Sequence, residues 1–191
     1  LEEKYAIASK KSLANYSFYL GASADNLEEI KKADPSRICG LKLFMGSSTG
    51  NMTVGDTDTL ESIFRESPLL ISVHAEDDDL IHENLKVALE HFTDGIPPEA
   101  HPFIRNDEVC FRAAARAVAL AEKYHARMHL AHLSTVKELA LLRNDIPLKE
   151  KRITGEVCVH HLWFDDNDYQ TLGNLIKWNP AIKTDSDRTG L

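Results

Sequence analysis

The chain has 191 residues, is 43% hydrophobic and 27% charged, and carries a net charge of −8. This is ordinary globular composition, with enough length for one domain and a sizeable core. The acidic balance argues against a nucleic-acid surface, and no apolar run approaches the ~20 residues that a membrane span needs.

The chain opens LEEKYAIASKK, without a signal-peptide pattern, and stops at DSDRTGL; both ends read like the middle of something longer. Cys39, Cys110 and Cys158 are odd in number and lack paired spacing. They predict free, mostly buried thiols in a reducing compartment, and hence a cytoplasmic protein.

Two patterns alternate along the chain. Strand-like runs lie at 14–22, 37–45, 68–75, 126–133 and 152–162. Helical patterns lie between and after them. The first, 23–33, has Ser23 as its expected N-cap, and 56–67 keeps apolar residues at helical spacing. Next, 77–92 opens on three aspartates suited to a positive helix end. The alanine-rich segment 106–125 is amphipathic. Segment 134–145 starts with a Ser/Thr cap, and 165–172 reads as one short helix. Residues 93–105 form an irregular excursion between two helices, and such loops are often functional.

Alternating strands and helices predict a parallel sheet with crossover helices. No glycine-rich phosphate fingerprint follows the first strand, which weighs against a dinucleotide fold. Residues 1–191 read as a single incomplete α/β domain. Its five strand–helix units fit the central portion of a (β/α)8 barrel, a fold of about 250 residues. A smaller open α/β sheet is the competing fold.

Chemistry in such folds gathers at the carboxyl ends of strands. There the second run carries Lys42, the third His74, the fourth His132, and the fifth His160 and His161. A lone histidine at a strand end is more often a hydrogen-bonded structural residue. Lysine, histidine and histidine on consecutive strands form a constellation. Two imidazoles suggest zinc. A buried lysine has a lowered pKa, and its free amine can combine with carbon dioxide into a carbamate able to bridge two metals. The opposing reading lets Lys42 snorkel to solvent or pair with Glu76.

The remaining histidines have plainer explanations. His129 is three residues from His132, so in a strand it should face the other way. By the same alternation at most one of His160 and His161 faces inward, and the run CVHH matches no common zinc knuckle. Asn179, held extended before Pro180, offers an amide suited to an imide or amide substrate, or is an ordinary turn asparagine.

The ordered segments GLKLFMGSSTGN, LLISVHAED, MHLAHLSTVKEL, TGEVCVHHLWF and KWNPAIKTDSDR, covering the chain from residue 12 onward, resemble the dihydroorotases of the cyclic amidohydrolase superfamily. The resemblance implies a (β/α)8 barrel with a binuclear zinc centre and a soluble homodimer acting on a small molecule. Lys42 would be the carboxylated bridge, and His74 and His132 ligands of the second metal. Asn179 would contact the dihydroorotate ring, and Asn51 would be a further substrate-side residue. The implied reaction is reversible closure of N-carbamoyl-L-aspartate to L-dihydroorotate in pyrimidine synthesis.

The chain departs from that pattern in two ways. It contains no His-x-His pair, which the family places on its first strand. The catalytic aspartate of the eighth strand is expected beyond Leu191, so no catalytic acid/base is expected within residues 1–191. The fragment alone should therefore be inactive. The nearest alternatives are dihydropyrimidinase, hydantoinase or allantoinase, or a non-catalytic dihydroorotase-like scaffold.

Overall fold

A computed structural model describes residues 1–46 and 52–191. Five short strands form one parallel sheet in the order β1-β2-β3-β4-β5: β1 Tyr19–Gly21, β2 Gly40–Phe44, β3 Ile71–His74, β4 Met128–Leu130 and β5 Ile153–Gly155. Each strand falls inside one of the five expected runs. Consecutive parallel neighbours are what a barrel built from strand–helix units requires.

The helices are α1 Glu2–Lys11, α2 Leu27–Lys31, α3 Thr57–Glu66, α4 Asp78–His91, α5 His101–Ile104, α6 Asp107–Lys123, α7 Val136–Leu139, α8 Val159–Trp163, α9 Tyr169–Leu172 and α10 Asp185–Gly190. No helix of the described residues is long and apolar enough to cross a membrane. The three longest crossover helices begin on side chains that accept a backbone N–H two or three residues on, the role of an N-cap. Asp56 takes that of Thr59, Asp77 that of Leu80, and Asn106 that of Val109. Thr135 and Glu138 close a reciprocal capping box on α7.

The two sheet faces differ in kind. Leu41, Ile71 and Met128 share one register row, and Leu43, Val73 and Leu130 another. All six are buried with Leu60, Ile63 and Phe64 of α3 and the alanine stripe of α6. Burying each of the large side chains contributes about 1.5–3 kcal/mol. The alternate rows place Gly21, Lys42, Ser72, His129 and Thr154 side by side, with Phe44 beside His74 one step further along. Because side chains alternate across a strand, these residues share the face turned away from the helices. That face is the interior in a closed barrel, and it is polar here.

Four local expectations need correction. Ser23 does not cap α2; its backbone N–H donates to the Asn26 side chain, which ties the turn back to Gly21. The 93–105 excursion is not irregular throughout, since it contains a turn at Pro98–Ala100 followed by α5. The fifth strand ends at Gly155, so His160 and His161 lie on α8 rather than on the sheet. The thiols are all free, but only Cys110 is buried; Cys39 is exposed and Cys158 half-buried. Helix α1, which buries no residue, had no counterpart among the expected elements.

Gly46, just past β2, passes so close to β3 that a Cβ there would lie 2.2 Å from the Glu76 carbonyl oxygen. Gly46→Ala must therefore push the two strand ends apart. It is expected to cost about 2 kcal/mol, read as a lower urea midpoint with an unchanged slope.

Candidate metal centre

Strand β3 delivers His74 to the carboxyl edge of the sheet, with only 4% of its surface exposed. Its Nε2–H donates to Glu76 Oε2 at 2.9 Å, and its Nδ1 faces His132 Nε2 at 3.0 Å. A carboxylate can only accept, so the proton of neutral His74 sits on Nε2 and the Nδ1 lone pair points at His132. Carboxylate–histidine pairs of this kind set the tautomer and orientation of metal-binding imidazoles.

Glu76 is fully buried. Burial pushes its carboxyl up, but the His74 hydrogen bond and the Arg105 charge outweigh it and hold the group below the ordinary range. Arg105 Nη1 lies 2.5 Å from Glu76 Oε2. No motif or periodicity in the chain singles out Arg105. It closes the stretch expected to be irregular, where α5 carries it back to the sheet and Asn84 of α4 donates to the Ile104 carbonyl beside it.

His132 follows β4 with φ +45°. A residue with a Cβ rarely adopts this left-handed conformation, and it persists only where the surroundings enforce it. The twist cancels the simple strand alternation. His129 occupies the same face and the same row as Lys42 after all, where it bonds with Thr154 Oγ1 at 2.8 Å and lies 3.5 Å from Glu156. His132 nevertheless turns to meet His74. Burial, with the His74 ring and the Lys42 charge, pushes its imidazole down to about 3. It is therefore neutral at physiological pH, as a metal ligand must be. Its Nδ1 is buried with no hydrogen-bond partner.

Lys42 sits on the same face, half-buried, with Nζ 4.8 Å from the centre of the Phe44 ring. Burial pushes its amine down, against an upward pull from the Glu156 charge. It forms no ion pair with Glu76, whose Oε2 is held by both His74 and Arg105 while Oε1 is buried without a hydrogen-bond partner.

Asn179 lies apart from the histidine pair. It is exposed and lines a hollow of about 370 Å³ with His101, Arg105 and Lys177, so Arg105 connects the two places. Asn51 lies outside the described residues.

The residues fit a divalent metal. Two ring nitrogens 3.0 Å apart can share an ion bound at about 2.0–2.1 Å from each. One imidazole is oriented by a buried carboxylate, and the other is kept neutral.

No family model matches the chain. Its sequence is similar to the dihydroorotases of Thermococcus kodakarensis (30% identical, over 100% of this chain and 39% of that protein) and Methanosarcina mazei (27%, over 95% and 41%). It is also similar to the allantoinase of Deinococcus radiodurans (27%, over 95% and 41%). The chain thus spans about two fifths of the length of these curated relatives. Its fold matches an L-hydantoinase from Arthrobacter aurescens with a TM-score of 0.87 at 22% identity, over 99% of this chain and 42% of that one. It matches the inactive dihydroorotase-like domain of a Chaetomium thermophilum multifunctional protein at 0.61 and 14%, over 98% and 43%. By sequence the chain resembles dihydroorotases along nearly its whole length, and its five-stranded parallel α/β fold matches about two fifths of these two structures.

Two outcomes follow for the metal-free chain. Removing Arg105 strands a buried charge, so Arg105→Leu should cost about 3 kcal/mol. Adding Glu76→Gln should recover part of that loss, because the two sites are coupled; denaturant melts of the three variants check this. Acidification should also destabilise the fold. His132 is pushed down to about 3 and His161 to about 4, against 6.5 when unperturbed. Below pH 6.5 the unfolded chain takes up protons that the native state refuses, so stability present above that pH is lost as pH falls towards 4. Thermal melts with chelator should show a loss of about 4 kcal/mol between pH 7 and pH 5, roughly halved in His132→Gln.

Proposed function

We propose that this chain is the central portion of a zinc-dependent dihydroorotase, a cyclic amide hydrolase that interconverts N-carbamoyl-L-aspartate and L-dihydroorotate. The observation that carries the reading is the meeting of His74 Nδ1 and His132 Nε2 at 3.0 Å, in a chain whose similarity to dihydroorotases runs from end to end. It implies a place in pyrimidine synthesis, a cytoplasmic setting and a homodimer.

In this reading His74 and His132 would hold a metal, and Lys42 as its carbamate would supply the anionic oxygen donors of a binuclear centre. The Lys42 amine, already disposed to lose its proton, adds through Nζ to the carbon of carbon dioxide and releases one proton. The resulting carbamate is an anion with two oxygens and no longer a desolvated cation. Glu76 keeps the Nδ1 lone pair of His74 turned to the metal, and Arg105 keeps Glu76 charged. Asn179 and Asn51 offer amide groups to the substrate ring. Lys177 adds positive charge beside Asn179, where it complements a carboxylate of the substrate. When bound, the metal pair supplies the Lewis acidity for opening or closing a cyclic amide.

Another cyclic amide is the alternative substrate, favoured by the 27% identity to the Deinococcus allantoinase, equal to that of the Methanosarcina dihydroorotase. A non-catalytic scaffold is disfavoured by the retention of Lys42, His74 and His132.

The complete polypeptide that contains this chain should act on dihydroorotate with kcat/KM at least a hundredfold above dihydrouracil and allantoin, whereas residues 1–191 alone should not turn over. Preference for another ring, or turnover by the isolated chain, would overturn the assignment. Lys42→Ala in the complete polypeptide should lower activity by roughly a hundredfold or more and reduce the bound zinc. Unchanged zinc and rate would make Lys42 structural.

A further inference from the structure

We propose a second metal site, for a thiophilic divalent cation with zinc foremost, built by Cys158, His160 and His161 after the fifth strand. One donor atom from each of the three lies within 4.8 Å of the others. None of them is a ligand of the Lys42 centre. The spacing resembles no standard knuckle because the site depends on how the backbone turns. Gly155 ends β5, Cys158 stands extended before α8, and the first turn of that helix brings the two histidines round to the thiol.

The second observation is His161 itself. It is 3% exposed. Its Nε2 faces the Pro180 carbonyl at 3.2 Å, and since a carbonyl only accepts, that nitrogen carries the proton. Nδ1 is then a buried lone pair, and it has no hydrogen-bond partner. Buried polar atoms are nearly always satisfied, and an orphan asks for a missing water or ion. A backbone carbonyl holding the far nitrogen of an imidazole is the arrangement that orients metal-binding histidines. His160 is fixed as well, stacked on the Trp178 indole at 4.4 Å with the planes 13° apart. Trp178 is held in turn by its carbonyl, which accepts from His101 Nε2–H at 2.7 Å.

A thiolate and two imidazoles are a donor set for zinc, with one position left for water. Tetrahedral zinc wants these donors about 3.4–3.8 Å apart, so the cluster must contract by about one ångström, within reach of rotation of the half-buried His160 and Cys158 side chains. Binding converts the Cys158 thiol to thiolate and releases one proton. The loaded site would clamp α8 to the strap that carries Asn179.

Cobalt(II) separates this site from the Lys42 centre, because only a thiolate ligand gives a sulfur-to-cobalt charge-transfer band in the near ultraviolet. Titrating the reduced 191-residue chain with cobalt should raise that band to saturation near one equivalent, and zinc should displace it. Cys158→Ser should abolish the band and Cys39→Ser should keep it. His160→Ala should weaken cobalt binding about tenfold. As a check needing no variant, zinc should protect Cys158 from iodoacetamide, read peptide by peptide by mass spectrometry. No band, a band that survives Cys158→Ser, or an equal alkylation rate of Cys158 with and without zinc would overturn the proposal. None of these readouts depends on activity, so the site can fail while the dihydroorotase reading stands.

Discussion

A carboxylate sealed from solvent organises the carboxyl edge of the sheet. Glu76 is ionised although burial alone would neutralise it, and an unpaired buried charge would cost several kcal/mol. Its neighbourhood supplies the compensation. Arg105 reaches it from α5 and His74 from β3. Gly46 lets the chain leaving β2 pass against the Glu76 carbonyl. Because the carboxylate fixes the proton of His74 on Nε2, it also fixes where the Nδ1 lone pair points, and His132 must adopt a left-handed backbone to meet it. A stability requirement and a chemical one are met by the same contacts.

The sheet explains why this edge can carry chemistry. Strand alternation puts leucine, isoleucine, valine and methionine under the helices and lysine, serine, histidine and threonine on the other face. The apolar face supplies the stability, so the polar face is free to hold desolvated groups. Lys42 shows the consequence. Its amine is pushed down by burial while Glu156 pulls the other way, and a carbamate would relieve the desolvated positive charge.

The region after the fifth strand follows different physics. Four successive short helical elements from Val159 to Ile176, and the strap beyond them, pack on a small core of Tyr169, Ile176 and Ile182 and are tied by single contacts: His161 on Pro180, His101 on Trp178, His160 on its indole. The first two use side chains to satisfy backbone carbonyls that no ladder reaches. Three histidines are thereby given structural partners, and His161 Nδ1 is left buried without one.

By itself, the sequence determined the strand–helix alternation, the five strands and their order, and the lysine and two histidines that reach the carboxyl edge. Each of these depends on short-range periodicity or on the position of a polar residue at the end of an apolar run. The Ser/Thr cap before segment 134–145 is legible, as Thr135 shows, whereas Ser23 reads as a cap and instead gives its backbone N–H to Asn26 across a turn. Only the tertiary structure decided the rest. Arg105 meets Glu76 from 29 residues away, His132 escapes strand alternation through one backbone angle, and His160 and His161 leave the sheet because β5 stops at Gly155. These outcomes were settled by long-range compensation of buried charge and by backbone geometry enforced from outside the local segment, neither of which leaves a periodic mark in the chain.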